Sequence, residues 1–293
     1  MAFRREVRLK ILLTGKDGQV GWELQRSLAI FGDVLATGRA DLDLADAAAI
    51  RDLARRVRPQ LIVNAAAYTA VERAEVEERA AFAINGTAPG ILAEEAKGVG
   101  ALLVHYSTDY VFSGEKAEPY AEIDEVGPIN AYGRSKLAGE RAVAAVGGRH
   151  LVLRTCWVYT ARGRNFLLSM KRLLTTREEV SVVDDQRGSP TPARLIAEAT
   201  AQMARAALRE GQSGIFNVAC AGETTWYGFA RAIAERLKVD HVAKLSPIPS
   251  SAYVTAARRP SYSVLSGKRL ARDFGIELPC WERGLEWTMA DAD

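Results

Sequence analysis

The sequence predicts an α/β protein, with a doubly wound parallel sheet and a smaller C-terminal lobe. Short apolar runs alternate with helical segments through the first half of the chain, and a glycine-rich turn follows the first apolar run. Alternating strands and helices favour a parallel sheet with helices on both faces. We therefore expect a sheet domain over residues 1–160 and a lobe mainly over residues 161–293. Some elements of the lobe are expected to return to the sheet domain.

The elements can be placed from apolar runs and helical periodicity. Strands of the sheet domain are predicted at Leu9–Leu13, Val34–Thr37, Leu61–Asn64, Ala101–Ser107 and Leu151–Arg154. Helices are predicted at Gln19–Phe31, Ala45–Val57, Val71–Gly98 (with room for a break) and Ala131–Val146. In the second half the predicted strands are Val180–Val183, Ile215–Val218, Ala243–Ser246 and Tyr262–Leu265, with helices at Arg194–Arg209 and Thr225–Leu237.

Composition excludes several functional classes. A formal charge of +3 without a dense basic run gives no reason to expect a nucleic-acid partner. No apolar stretch approaches the roughly 20 residues that a membrane span needs, and the short apolar run near the N-terminus fits a strand better than a signal peptide. Cys156, Cys220 and Cys280 are widely spaced and form no metal-ligand pattern. We expect a cytoplasmic protein with reduced thiols and no bound metal.

The glycine turn has the context of a dinucleotide-binding (Rossmann) fingerprint, since it lies between a strand and a helix. Gly15 permits the tight turn, Gly18 lets backbone amides approach a pyrophosphate, and Gly21 lets the helix pack closely on the sheet. Gln19 and Val20 begin the helix, whose free N–H groups and dipole favour an anion. The spacing is GxxGxxG rather than GxGxxG, so the assignment as a dinucleotide-binding turn depends on its position directly after the first predicted strand.

Residues after the second and third strands favour a nicotinamide dinucleotide. Arg39 follows the second strand and could pair with the 2′-phosphate of NADP, whereas Asp41 could bind the ribose hydroxyls of NAD. NADPH is the preferred cofactor, with NADH as the alternative. Ala65, Ala66 and Ala67 follow the third strand, where small side chains let a flat cofactor lie close to the backbone.

A tyrosine and a lysine four residues apart suggest the chemistry. Tyr132 and Lys136 share one face of a predicted helix. An ammonium beside a phenol lowers the phenol pKa, so Tyr132 is expected to titrate closer to neutrality and to donate a proton to a carbonyl. Such a pair alone is common on helices. Together with the glycine turn it indicates a reductase site.

Longer motifs strengthen this interpretation. They lie at Gly15–Gln25, Val63–Ala67, His105–Phe112, Ala131–Glu140, Arg154–Tyr159 and Asp185–Thr191. In these motifs the chain resembles the extended short-chain dehydrogenase/reductase superfamily and, more specifically, the family of dTDP-4-dehydrorhamnose reductases. The resemblance covers nearly the whole chain.

The resemblance implies an NADPH-dependent reduction of the C4 keto group of dTDP-4-dehydro-L-rhamnose, which gives dTDP-L-rhamnose. It assigns catalysis to Thr108, Tyr132 and Lys136, and adenine contacts to Asp43 and Leu44. The implied contacts of the nucleotide sugar are Thr69, Val71, Thr108, Asp109, Trp157 and Arg259, with Arg258 as an alternative to Arg259. A turn carboxylate at Asp109 and core packing at Trp157 remain alternatives.

Two other functions fit the same resemblance, and one feature departs from it. The alternatives are a non-catalytic NADP-binding regulatory subunit and another nucleotide-sugar reductase or epimerase. Some family members form a dimer bridged by magnesium through glutamates. Glu23 matches one of these glutamates, but Arg194 falls at a second position and would repel the cation. We expect a monomer, or a dimer that is not bridged by metal.

Overall fold

The computed structural model of the chain describes residues 8–239 and 241–291. Six strands form one parallel sheet. They are β1 (Leu9–Thr14), β2 (Gly32–Thr37), β3 (Leu61–Asn64), β4 (Leu102–Thr108), β5 (His150–Thr155) and β10 (Gly214–Asn217), in the order β10-β5-β4-β3-β1-β2. The order reverses between β1 and β3, and ligands of such sheets bind at the carboxyl ends of the strands beside the reversal. The predicted doubly wound sheet is confirmed.

Helices cover both faces of this sheet. They are α1 (Gln19–Ala29), α2 (Ala47–Val57), α5 (Ala88–Val99), α6 (Ala131–Val146) and α8 (Ala193–Glu210). Side chains of β1 alternate between two apolar cores, because Ile11 and Leu13 pack with α1 and α8 while Leu12 packs with α2 and α5. Burial on both faces explains why the strands are continuous apolar runs in the sequence.

The predicted helix Val71–Gly98 is broken into several pieces. The structure has α3 (Val71–Ala74), α4 (Glu78–Phe82), a π-helical turn at Ala83–Thr87 and then α5. Asn85 lies inside the π-helical turn, fully buried. Its amide exchanges hydrogen bonds with the backbone of Tyr68, so the break ties α5 to the segment after β3.

The remaining elements form a lobe with its own apolar core. It contains the helices α7 (Phe166–Thr176), α9 (Trp226–Ala234) and α11 (Trp281–Ala290) and the parallel strand pair β7 (Glu179–Val183) and β12 (Lys244–Ile248). Two short ladders pair β6 (Val158–Tyr159) with β9 (Thr191–Pro192) and β8 (Arg187–Gly188) with β11 (Thr224–Thr225). A further helix, α10 (Lys268–Phe274), packs against β10.

Two predicted strands of the second half have different outcomes. The predicted strand Ile215–Val218 is β10, which lies in the main sheet beside β5, in line with the expected return of some elements to that sheet. The predicted strand Tyr262–Leu265 is wrong, because these residues form only isolated bridges, with Arg187 at one end and Tyr120 at the other. The division of the chain at residue 160 stays a prediction. None of the helices in the described part of the chain has both the length and the apolar character that crossing a membrane requires.

Candidate active site

The carboxyl end of β4 brings the predicted catalytic hydroxyl and phenol together. β4 ends at Thr108, and a single 3-10 turn over Asp109–Val111 follows. The Thr108 hydroxyl lies near enough to the Tyr132 phenol to lower its pKa. The ring of Tyr110 meets the Tyr132 ring edge-on, with 5.9 Å between centroids. Residues that are 24 positions apart in the sequence thus share one site.

The start of α6 is fixed by hydrogen bonds from three directions. Asn130 caps the helix by accepting from the N–H of Gly133 at 2.8 Å, and its amide donates to the carbonyl of Arg258 at 2.8 Å. Glu75 accepts from the N–H of Ala131 at 2.7 Å. A Cβ on Gly133 would lie 2.2 Å from the carbonyl oxygen of Tyr110, so glycine is needed for this close approach. Tyr132 is therefore held in a defined position.

The pKa of Tyr132 differs from the sequence-based expectation. Burial raises it to about 12 and the charge of Asp109 adds to this, while the hydrogen bond to Thr108 opposes the rise. The Lys136 ammonium donates instead to the carbonyl of Tyr106. Burial lowers the pKa of Lys136 to about 8, against a raising effect of Glu140. In this structure Tyr132 therefore keeps its proton at neutral pH.

Asp109 is a buried carboxyl group rather than a surface turn residue. It is 3% exposed. Thr108 Oγ1 donates to its Oδ1 at 3.0 Å, and the Cys156 thiol donates to its Oδ2 at 3.3 Å. Burial raises the pKa of Asp109 to about 6, against hydrogen bonds from Ser263, Cys156 and Thr108 that lower it. The turn itself is capped by Thr108, which accepts from the N–H of Tyr110.

The neighbouring hydroxyl, Ser107, has a different environment. It donates to Glu140 Oε1. The guanidinium of Arg154 donates to both oxygens of Glu140, at 2.9 and 2.7 Å. Both charged side chains are at most 3% exposed. A buried bidentate ion pair that also accepts a hydrogen bond from a hydroxyl is typical of a structural cluster, so we assign Ser107 a structural role.

The glycine turn has the geometry that a dinucleotide needs. Gly15 has φ +78°, and a Cβ there would lie 2.6 Å from the N of Ala66. A Cβ on Gly21 would lie 2.0 Å from the carbonyl oxygen of Gly15. Gly18 caps α1 without a side-chain hydrogen bond, and Oε1 of Gln19 is buried without a partner among the described residues. Free helix N–H groups beside a close backbone turn fit a pyrophosphate.

Charged residues beyond β2 separate the two cofactor alternatives. Asp41 Oδ2 accepts from the Lys16 ammonium and from the N–H of Gly38, and the hydrogen bond with Lys16 holds the pKa of Asp41 below its usual value. Asp41 is thus already engaged by the protein. Arg39 is exposed. An exposed guanidinium beside an engaged carboxylate favours the 2′-phosphate over ribose hydroxyls.

The two residues assigned to the adenine lie further along the same loop. Asp43 is exposed and accepts from the N–H of Ala45 at 2.9 Å, while the side chain of Leu44 is buried in the core beside β1. Their role in binding adenine stays a prediction.

Trp157, a predicted contact of the sugar, packs against a second indole. Its indole stacks on that of Trp226, with 3.5 Å between centroids and 4° between planes. A Cβ on Gly188 would lie 2.4 Å from its Cε2. The backbone of Trp157 has φ +43°, which is rare for a bulky residue. Trp226 therefore covers one face of this ring, and the contact of Trp157 with the sugar stays a prediction.

Arg259 pairs with a carboxylate across the cleft. Its guanidinium forms a salt bridge with Glu72 of α3 and donates to Thr255 Oγ1 at 3.1 Å. Glu72 also accepts from the N–H of Ala257. Val71 precedes Glu72 on α3 and is half-buried, whereas Thr69 is exposed. The predicted substrate residues Thr69, Val71 and Arg259 thus belong to one region, joined by the Glu72 salt bridge.

Three residues of this region were missed by the sequence reasoning. They are Asn85, Cys156 and Glu72, which bind the hydroxyl of Ser135 on α6, the carboxyl of Asp109 and the guanidinium of Arg259. Asn85-Gly86 inside a helical pattern was an available signal, because both residues disfavour helix. The other two depend on contacts between distant parts of the chain.

One of the positions considered for a bridging metal, Arg194, carries another contact. Arg194 pairs with Asp291 at 3.1 Å. Over residues 8–239 and 241–291 no group of three or more histidine, cysteine or acidic side chains is arranged to hold a metal ion. The oligomeric state stays a prediction.

Several known proteins that are similar to this chain carry one name. A family model described as the RmlD substrate binding domain matches residues 9–293. A dTDP-4-dehydrorhamnose reductase of Burkholderia thailandensis is 50% identical over 284 residues, 93% of this chain and 95% of that protein. That of Escherichia coli K12 is 42% identical over 287 residues, 95% and 96%. The crystal structure of a Bacillus anthracis dTDP-4-dehydrorhamnose reductase in complex with NADP has a TM-score of 0.90 and 34% identity, covering 97% of this chain and 100% of that one.

Proposed function

We propose, because this chain belongs to the family of the RmlD substrate binding domain, that it is an NADPH-dependent reductase of a nucleotide sugar. The substrate is dTDP-4-dehydro-L-rhamnose, and the product of reduction at C4 is dTDP-L-rhamnose. The observation that carries the proposal is the proximity of Thr108 and Tyr132, with buried Lys136 one turn further along α6, at the same sheet edge as the glycine turn.

The cofactor is held by the turn after β1 and by groups beside it. The free N–H groups at the start of α1 bind the pyrophosphate, and Gly15 and Gly21 allow the backbone to approach it. Arg39 binds the 2′-phosphate. When bound, NADPH supplies the hydride that a carbonyl carbon accepts in the reduction.

The chain supplies the proton and the orientation of the carbonyl. Tyr132 donates its proton to the C4 oxygen, and its pKa of about 12 ensures that the proton is present at neutral pH. Thr108 forms the second hydrogen bond to that oxygen. Lys136 keeps a positive charge below its pKa of about 8, and we assign it to hold the nicotinamide ribose of the bound cofactor.

The nucleotide sugar lies between the segment before α3 and the segment that contains Arg259. Thr69, Val71, Asp109 and Trp157 surround the sugar, and Arg259 binds the diphosphate after exchanging its partner Glu72. A guanidinium group binds a phosphate through two parallel hydrogen bonds, and we therefore assign the diphosphate to Arg259.

The chain acts as a cytoplasmic enzyme, with a dinucleotide-binding domain over residues 1–160 and a mainly substrate-binding lobe over residues 161–293. It is a monomer or a dimer without bridging metal, because Arg194 stands at a position where the resemblance implies a magnesium-binding glutamate. Light scattering with and without EDTA tests the oligomeric state. A dimer that dissociates in EDTA contradicts it.

The test of function is NADPH oxidation with a panel of 4-keto nucleotide sugars. We expect stoichiometric NADP⁺ and dTDP-L-rhamnose from dTDP-4-dehydro-L-rhamnose, and a lower rate with NADH. An epimerase or dehydratase recycles its cofactor, so conversion of the sugar without net NADPH oxidation would contradict a reductase. A regulatory subunit would bind NADPH without turnover of any sugar in the panel.

A further inference from the structure

The hydroxyl of Thr108 has one proton and several neighbours that could receive it. Oγ1 donates to Oδ1 of Asp109 at 3.0 Å and accepts from the N–H of Tyr110 at 3.2 Å. The Tyr132 hydroxyl is near enough for Thr108 to lower the pKa of the phenol. A hydroxyl donates one hydrogen bond at a time. While Thr108 donates to Asp109, its proton does not point to a substrate oxygen.

The second oxygen of Asp109 is held by a thiol whose own position is fixed. Cys156 Sγ donates to Oδ2 at 3.3 Å, accepts from the N–H of Ser189 at 3.3 Å and lies 3.5 Å from the carbonyl oxygen of Ser263. Cys156 is fully buried and Asp109 almost so. Protein groups therefore determine whether the Asp109 carboxyl is ionised.

The titratable groups that face Asp109 are phenols and a thiol. Tyr110 faces it from the same turn, Tyr132 from α6 and Cys156 from the end of β5, while Ser263 supplies a hydroxyl from the C-terminal segment. Arg259 acts on Tyr110 at the edge of the same cluster. With weak neutral donors around it, a buried carboxyl ionises less readily, and the pKa of Asp109 rises to about 6.

We propose that Asp109, held by Cys156, is a positioning residue that sets the direction of the Thr108 hydroxyl. Protonated Asp109 donates to Thr108 Oγ1, which releases the Thr108 proton to point towards the substrate carbonyl. Ionised Asp109 accepts a hydrogen bond from the Thr108 hydroxyl, so the Thr108 proton points away from the substrate. The inference rests on the proposed function, in which Thr108 bonds the C4 oxygen.

Two substitutions at one buried position should move the pH dependence in opposite directions. In Cys156→Ser the thiol is replaced by a hydroxyl, which is a stronger donor and stabilises the Asp109 carboxylate. The pKa of Asp109 then falls, so the loss of kcat/KM with rising pH should move to lower pH. Cys156→Ala removes the donor and should move that loss to higher pH. We expect each shift to be about half a pH unit or more. A purely structural role would change the rate without separating the two midpoints.

The matched control is Cys220→Ser, which alters another buried thiol, in the core of the lobe. Its pH profile should equal that of the wild type. Asp109→Asn is the second test, because an amide cannot titrate, and the fall near pH 6 should be absent. This variant serves even if Cys156→Ala fails to fold.

A direct readout comes from ¹³C NMR of the aspartate carboxyl groups without cofactor or substrate. Comparison with Asp109→Asn assigns the signal, which should titrate near pH 6 and shift oppositely in the two Cys156 variants. Shifts in the same direction, or a kcat/KM profile that stays fixed while the NMR midpoints move, overturn the proposal. If the wild type oxidises no NADPH at any pH, the proposed function fails and this inference with it. If turnover is normal but the profiles coincide, only the inference fails.

Discussion

Two carboxyl groups near the carboxyl end of β4 bind adjacent hydroxyls, yet they have opposite surroundings. Glu140 accepts from Ser107 and from both arms of the Arg154 guanidinium. Asp109 accepts from Thr108 and from the thiol of Cys156. Both carboxyl groups are buried. The two differ in that Glu140 is paired with the Arg154 guanidinium, whereas the groups that hold Asp109 are neutral.

A buried carboxyl group that is paired with a cation needs that partner to remain buried, so the cluster serves stability. A buried carboxyl group held only by neutral donors ionises less readily, and the pKa of Asp109 is about 6. The structure has the first arrangement at Ser107 and the second at Thr108, one residue apart. The partners of a buried carboxyl group therefore distinguish the site from its support better than residue type does.

The largest expected effect lies on the functional side of this comparison. Tyr132→Phe removes the proton donor, so kcat should fall by roughly 10²- to 10⁴-fold. Affinity for NADPH, measured by fluorescence titration, should change little. Tyr106→Phe is the matched control, since its hydroxyl bonds Thr200 at 2.6 Å and has no role in the reaction. Equal turnover of wild type and Tyr132→Phe would exclude Tyr132 as the acid.

The cluster of Ser107, Glu140 and Arg154 should affect the stability of the fold. Arg154→Met leaves Glu140 buried without its cation, which should lower the free energy of unfolding by about 3–5 kcal/mol. Urea denaturation measures this loss. The double variant Glu140→Gln with Arg154→Met should recover part of it, because the unpaired charge is gone. A near-neutral effect of Arg154→Met would remove the contrast between the two carboxyl groups.

Asp109 should instead affect the pH dependence of stability. Its pKa is about 6 when folded and near 3.9 when unfolded, so the folded state binds the proton more tightly. The stabilisation is complete below pH 3.9 and is lost as pH rises through 6. Relative to Asp109→Asn, the wild type should lose up to about 3 kcal/mol between pH 4 and pH 7. A difference independent of pH would show that the pKa of Asp109 is ordinary.

The smallest effect concerns an exposed arginine, in contrast to the buried Arg154. Arg39→Ser should raise the KM for NADPH by about 10-fold and leave the KM for NADH unchanged, since only NADPH carries the 2′-phosphate. Arg209→Ser, at the exposed end of α8, is the matched control. Equal changes for both cofactors would assign Arg39 another role.

The sheet and the glycine turn were predictable because their causes are local. The apolar runs and the spacing of Gly15, Gly18 and Gly21 fix strand, turn and helix within about 20 residues of sequence. Ile215–Val218 was found as a strand, but its place in the main sheet depends on pairing with β5, over 60 residues away.

Contacts between residues that are far apart in the sequence determine the pKa values and side-chain partners that could not be predicted. The pKa of Tyr132 depends on how deeply the cleft buries it, and Lys136 donates to Tyr106 rather than lowering that pKa. The stacking of Trp157 on Trp226 joins two residues 69 positions apart. Motifs identified these residues as candidates but could not state their partners.

The most direct test follows the hydrogen isotope with wild type and Tyr132→Phe. NADPH that carries deuterium at the transferable C4 position is incubated with dTDP-4-dehydro-L-rhamnose, and the product is examined by mass spectrometry and proton NMR. Reduction assisted by Tyr132 predicts one deuterium at C4 of dTDP-L-rhamnose per NADP⁺ formed, with a rate that collapses in the variant. Product without deuterium, or an unchanged rate in Tyr132→Phe, would contradict it.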